Sequence, residues 1–352
     1  MPVSYFGSNP NPEAVLRSYL DSPPPAIAID FETPTTTERM PLGFAIAFSP
    51  DEAIYFQTYP QYPPEMDKLK SLFFNPNVCK IAHYALFDLS VMPLLPFFVG
   101  FDRTNLFDTN TAARLLGREE TALSILAGEV GTIAEDAKSF MSRLHVSNMA
   151  DAPPDEVAKK CQNDAKVAFA LYNSYKPQID RQYKDYFQVE MKVIPILIDL
   201  SQRGLRIDQA ARAKLEANLE GEVEFYRRQL ESAGIEKPGS SQQVGYMLGK
   251  RGNFLPMTRS KRQLSTSVGN LEFLDDPMAA MVLGWRQKSK LLSTYISPIK
   301  DSDRFFTEYY LDTVVGRLNS RNRNIQNIPS NCRHIFLPDN RMFTTGDYSM
   351  EH

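Results

Sequence analysis

Two acids stand at the end of a segment that otherwise reads as a buried strand, Ala26-Ile27-Ala28-Ile29-Asp30-Phe31-Glu32-Thr33. Residues two apart on a strand point to the same face, so Asp30 and Glu32 project together. Neighbouring carboxylates repel, and each is pushed toward its protonated form unless a cation lies between them. The pair therefore predicts a bound divalent metal, and an oxygen-only ligand set favours Mg²⁺ or Mn²⁺ over zinc. A lone Asp-x-Glu is a weak signal, so the rest of the chain has to decide what the metal would serve.

With 352 residues the chain exceeds what one hydrophobic core usually serves, which predicts two or three domains. Its 43% hydrophobic and 23% charged residues are ordinary for a globular protein. The three cysteines, Cys79, Cys161 and Cys332, are widely spaced and form no zinc or disulfide pattern. No apolar run is long enough to span a bilayer and no secretory signal opens the chain, so a cytoplasmic protein without a membrane partner is expected. The formal net charge of −3 does not suggest a nucleic-acid binder, but it averages over regions of opposite character.

After the triple proline at positions 23–25, residues 42–48 and 53–56 read as further strands, and residues 78–83 as another. A helix is expected to begin near Asp88, and Phe107-Asp108-Thr109 heads a helix over residues 110–116. Strands alternating with helices make this region α/β. From Pro154 the periodicity turns helical, over residues 154–175, 183–203, 210–230 and 276–295, and residues 305–315 again alternate as strands do.

Two further acids extend the pair. Asp88 follows the strand ending at His83, and Asp164 lies on a late helix; taken singly, the first reads as a helix cap and the second as a solvated residue. Together, in this order, the four resemble the proofreading 3′→5′ exonuclease domain of the DEDD superfamily. Asp30-Phe31-Glu32 matches its first motif, the stretch from Ala82 to Asp88 its second, and Cys161-Gln162-Asn163-Asp164 lies in its third. The resemblance implies an RNase H-like α/β domain, a mixed sheet flanked by helices. It also implies a two-metal mechanism in which ions about 3.5–4 Å apart clamp the scissile phosphate. Asp30, Glu32, Asp88 and Asp164 would be the metal ligands. Where this superfamily carries a water-orienting tyrosine or histidine, the chain has Lys160 and Lys159, and Tyr84 stands where polymerase-linked members have asparagine. A cation at Lys160 would compete with metal, so a metal-competent but slow nuclease is expected, with Lys160 among its catalytic residues.

Farther along, Gly316-Arg317-Leu318-Asn319-Ser320 precedes Asn324-Ile325-Gln326-Asn327-Ile328-Pro329. A guanidinium and several amides suit the minor groove, where every base pair offers similar acceptors and sequence can be ignored. This stretch resembles the primer-template contact motif of family A DNA polymerases, the bacterial polymerase I type, and Gly346-Asp347-Tyr348-Ser349 resembles the start of their first palm motif, whose Asp347 would bind the catalytic metals. The resemblance implies a mainly helical thumb over residues 181–300 between an exonuclease domain at 1–180 and an incomplete palm at 301–352. Arg317, Asn324, Gln326 and Asn327 would contact DNA. The basic run Lys250, Arg251, Arg259, Lys261 and Arg262, with Lys290, would hold phosphates, although a solvated loop is the default reading of such a run. Trp285 reads as core rather than as a stacking platform.

The expected partners are a primer-template and a single-stranded 3′ end. A polymerase of this family also needs fingers and a second palm aspartate, and none follows His352. A second polypeptide, as in a split enzyme of phage type, is therefore expected for synthesis, in a bacterial or phage-infected cell. The alternatives are a free-standing 3′→5′ exonuclease and a non-catalytic DNA-binding subunit.

Overall fold

The structure, a computed structural model, describes residues 3–6, 12–35, 37–58, 66–258, 263–311, 316–340 and 342–343. Arg259, Lys261, Arg262 and Asp347 lie outside the described residues. The chain divides into two units, Met1–Leu200 with Tyr309–Asn319, and Ser201–Glu308 with Ser320–His352.

In the first unit β1 (Val3–Phe6) and α1 (Pro12–Asp21) lead into β2 (Ala26–Glu32), β3 (Gly43–Ala47) and β4 (Ala53–Gln57). Then come α2 (Lys70–Phe73), β5 (Cys79–Ala82), α3 (Ala85–Val91), β6 (Leu106–Asp108) and α4 (Thr109–Leu115). The strands form one mixed sheet in the order β1-β4-β3-β2-β5-β6. β2 sits at its centre, antiparallel to β3 and parallel to β5, with Asp30 opposite Ala45 and Glu32 opposite Gly43. A central strand is covered on both faces, which is why residues 26–29 are continuously apolar and buried instead of alternating. The short helices α5 (Leu123–Leu126) and α6 (Ala137–Arg143) precede the long α7 (Pro154–Gln182) and α8 (Lys184–Arg203). α7 packs across β2, β3 and β4. Its Cys161, Ala165, Ala168 and Leu171 recur at helical spacing and are buried, so small side chains let the helix approach the sheet.

The second unit is mainly helical: α9 (Gln209–Ser232), α10 (Ser241–Lys250), α11 (Val268–Glu272) and α12 (Pro277–Leu291), followed by a π-turn over Leu292–Ile296. A small antiparallel sheet joins β7 (Leu205–Ile207) to β8 (Arg304–Phe305) and β9 (Phe336–Leu337). Of the strand expected over residues 305–315, Glu308–Tyr310 is extended, while residues 312–315 lie outside the described residues. Trp285 packs against the apolar cluster built on Leu230, Val244, Leu248 and Val282, in agreement with a core role.

Asp276 starts α12. Its carboxylate accepts from the Met278 N–H at 2.8 Å, the Arg251 guanidinium at 2.8 Å and the Asn253 amide at 2.6 Å. The Arg251 pair, the first of these causes, holds its pKa below the usual carboxylate range against the opposing effect of burial. Asp276→Ala removes a cap and an ion pair together and is expected to cost about 2 kcal/mol in urea unfolding. A loss below about 0.5 kcal/mol, the lower end for a cap alone, would show the cluster to be ornamental.

Candidate metal centre

β2 ends at the mouth of the first unit's sheet, and its period brings Asp30 and Glu32 to one face, where α7 delivers Asp164. One carboxylate oxygen from each of the three lies within 4.8 Å of the others. The acids are buried: Glu32 is 7% and Asp164 5% exposed. Burial, then the nearby Glu32 and Asp164 carboxylates, push the Asp30 pKa well above its ordinary value, with Lys160 acting in opposition. Asp164 is also raised, by burial first and by Glu32, with Lys160 again opposing.

Asp88 does not cap its helix. α3 starts three residues earlier than expected, at Ala85, which puts Asp88 in the first turn with its carboxylate turned to the sheet. There Oδ1 accepts the Phe31 N–H at 3.0 Å, between the two acids of β2. Burial and the Asp30 charge raise its pKa well above the ordinary value. Asp88 thus reaches the same strand, although it is not among the three acids whose oxygens converge.

The residue that does cap α3 is one the sequence showed only as the head of another helix. Asp108 Oδ1 accepts from the Tyr84, Ala85 and Asn110 N–H groups at 2.7, 3.2 and 3.4 Å. Its Oδ2 accepts from the Thr111 N–H at 3.2 Å and hydroxyl at 2.7 Å. One buried carboxylate therefore serves the first turns of both α3 and α4. Tyr84, which precedes α3, takes a left-handed backbone at φ 70° and stacks its ring on Tyr310 at 6.1 Å. His83 is fixed by Thr109 Oγ1 at 2.8 Å and the Thr121 carbonyl at 2.9 Å, and burial lowers its pKa.

Lys160 enters the cluster itself. Its Nζ lies 2.6 Å from Glu32 Oε1 and 2.7 Å from Asp164 Oδ2, with its side chain only 9% exposed. Burial alone would depress this ammonium; the Glu32, Asp164 and Asp30 carboxylates outweigh it and hold the pKa well above the lysine range. Lys159, its neighbour, points away and pairs with Asp155 and Glu156. Two oxygens of the cluster, Asp30 Oδ2 and Asp164 Oδ1, are buried with no hydrogen-bond partner. Buried carboxylate oxygens left without a donor are costly, and a divalent cation satisfies them. The donor set, all oxygen, fits Mg²⁺ or Mn²⁺.

In the second unit, Lys290 and Asn327 line a cavity of about 270 Å³ together with Gln287, Lys288, Tyr295 and Asn331. Of these, Lys290 and Asn327 are candidates from the sequence; Gln287 lies three residues before Lys290 on α12, a spacing that shares a helix face. Asn324 spends its side-chain oxygen on the Gln326 N–H at 3.0 Å and the Ser320 hydroxyl at 2.7 Å, so it shapes the turn. Gln326 and Asn327 are exposed. Arg251 is committed to Asp276, whereas the Lys250 ammonium lies 4.6 Å above the Tyr246 ring. Arg317, in the first unit, is exposed.

Residues 6–180 match the family model described as 3′-5′ exonuclease, and residues 209–351 match the one described as DNA polymerase family A. Over most of its length the chain is thus similar to DNA polymerases of family A. Among its relatives, a DNA polymerase I of Chloroflexus aurantiacus is 29% identical over 365 residues, covering 92% of this chain and 38% of the relative. One of Treponema pallidum is 27% identical over 282 residues, covering 75% of this chain and 28% of the relative. The chain thus spans well under half the length of these family members. A solved structure described as the POL domain of Pol1 from M. smegmatis, in complex with DNA primer-template and dNTP, has the same fold at a TM-score of 0.69. It shares 18% identity, over 94% of this chain and 57% of that one. The polymerase-family fold agrees with the α/β exonuclease-type unit followed by a helical region expected from the sequence. Among the described residues, no helix is long and apolar enough to cross a membrane.

Proposed function

We propose that this chain supplies the 3′→5′ editing site and the duplex-holding thumb of a family A DNA polymerase. Residues 1–180 would form the exonuclease domain, 181–300 the thumb and 301–352 the first part of the palm. The observation that carries the reading is the convergence of Asp30, Glu32 and Asp164 within 4.8 Å, with two buried oxygens lacking any donor.

In this reading Asp30, Glu32 and Asp164 hold Mg²⁺ or Mn²⁺, two ions at full occupancy, with Asp88 completing the set. Bound there, divalent ions supply an activated water and stabilise the leaving 3′ oxygen. The protein's own part is positioning. The Phe31 N–H fixes the Asp88 carboxylate, and Asp108 fixes the helix that carries it. Lys160 takes oxygens from the metal and replaces the residue that would aim the water, so a slow nuclease follows. Lys250 and Lys290 hold phosphates of the duplex by charge, and Arg317, Gln326 and Asn327 read its minor groove without regard to sequence. In this reading the protein works in the cytoplasm of a bacterial or phage-infected cell. The relatives give no support for a second polypeptide, and none is part of this reading.

Digestion of a single strand labelled at its 3′ end tests the proposal. In Mn²⁺ the unaltered protein should release labelled nucleotide at least about tenfold faster than Asp30→Ala, the loss expected when a metal site is disrupted. Equal rates would sink it.

A further inference from the structure

Lys160 is the one residue in the acidic cluster that no metal site calls for. It lies one turn before Asp164 on α7, so both side chains share a helix face, and that face is turned to β2. A lysine there has a free alternative, since its four-carbon stem can carry the ammonium out to water. Instead Nζ is buried between Glu32 Oε1 at 2.6 Å and Asp164 Oδ2 at 2.7 Å. These are the distances of charge-assisted hydrogen bonds on both sides.

The reason lies in the charges that surround it. Asp30, Glu32 and Asp164 converge in a poorly solvated place, with Asp88 held nearby on the Phe31 N–H of the same strand, and such a group of carboxylates resists folding unless a cation is present. A separate metal ion meets that need only when it is bound. A cation tethered to α7 meets it always, at a cost: an ammonium and a divalent ion cannot use the same oxygens.

We propose that Lys160 is a built-in counter-ion that keeps the acidic cluster assembled without metal and, by competing for Glu32 and Asp164, sets the metal concentration needed to arm the site. The inference rests on the exonuclease reading and adds to it a form of regulation. The Asp30 and Asp164 oxygens left without donors are the foothold from which an entering ion displaces the ammonium. The unaltered protein is therefore stable and idle at low metal, and responsive only where free divalent ion is abundant.

Thermal melting and Mn²⁺ titration calorimetry on the full chain test this, with Lys160→Gln removing the charge and Lys160→Arg keeping it. The unaltered protein and Lys160→Arg should melt at the same temperature in chelator and in millimolar Mn²⁺, within about 1 °C. Lys160→Gln should melt lower in chelator, recover by about 5 °C or more on adding Mn²⁺, and bind Mn²⁺ at least about tenfold more tightly than the unaltered protein. If Lys160→Gln is unfolded in chelator, Mn²⁺ should refold it. Overturning results would be equal Mn²⁺ affinities for the unaltered protein and Lys160→Gln, an equally large Mn²⁺ stabilisation of both, or failure of Mn²⁺ to restore an unfolded Lys160→Gln. Tight Mn²⁺ binding by Lys160→Gln without digestion of a 3′-labelled strand would defeat the exonuclease reading and leave the counter-ion intact.

Discussion

Asp108→Ala is expected to destabilise the first unit by about 4 kcal/mol, a fall of about 10 °C in its melting temperature. The side chain is 4% exposed and accepts from four backbone N–H groups and one hydroxyl. Alanine removes the acceptor and leaves those donors buried at the first turns of α3 and α4. Each unsatisfied buried donor costs about 1–3 kcal/mol, and partial access of water to some of them keeps the sum near the lower end. Asp108→Asn divides the effect. Its amide oxygen can still accept from Tyr84 and Ala85, but its NH₂ meets the Thr111 N–H as donor against donor, so a loss of about 2 kcal/mol is expected. Because α3 carries Asp88, the alanine variant should also weaken Mn²⁺ binding in whatever remains folded. A loss below about 1 kcal/mol for Asp108→Ala would mean that the two helices are held by packing alone.

Asp108 also shows where reading the chain alone stops. As the residue before α4 it is visible as a cap, because an aspartate accepting the second and third N–H groups of its own helix is a local pattern. Its second pair of donors comes from residues 84 and 85, and nothing local announces that. The same limit explains Asp88. Its distance from the preceding strand suggested a cap, but β5 and β6 flank the turn such that Asp108 takes that role, and Asp88 is released to face Phe31.

What was legible followed from periodicity. The two-residue repeat put Asp30 and Glu32 on one face, and the helices expected over residues 183–203 and 210–230 lie within two residues of their bounds, whereas α7 runs seven residues past its expected end, to Gln182. Lys160 was visible as an unexpected residue type. Its destination was not, because a lysine stem reaches either water or a carboxylate, and the choice depends on how closely α7 lies on β2. In the second unit, Arg251 read as part of a phosphate-binding run. It also pairs with Asp276, 25 positions away, a contact that only the packing of α10 near the start of α12 creates.

The other large effect is expected in the buried pair of Lys80 and Asp102, and it should be lopsided. Lys80 sits on β5 with its side chain 0% exposed, its Nζ 2.7 Å from Asp102 Oδ2 and 2.8 Å from the Asn75 carbonyl. Burial lowers the Lys80 pKa, and the Asp102 carboxylate opposes that without cancelling it. Asp102→Ala leaves a buried ammonium with one neutral acceptor and is expected to cost about 3–5 kcal/mol. Lys80→Met strands much less. Asp102 is 14% exposed and still accepts from the Thr104 hydroxyl at 2.7 Å, while methionine fills the stem's volume, so a change within about 1 kcal/mol is expected. Acid separates the pair from mere packing. Burial would raise the Asp102 pKa, but Lys80 and Thr104 outweigh it and hold the folded value below the ordinary carboxylate range. Between those two values the unfolded chain binds more protons than the folded one, so the stability that Asp102 contributes is complete above the ordinary carboxylate pKa and is lost as pH falls through the folded value. The stability gap between the unaltered protein and Asp102→Asn should therefore be widest near neutrality and narrow in acid. A gap that stays constant down to the acid limb would show that shape, and not charge, makes Asp102 necessary.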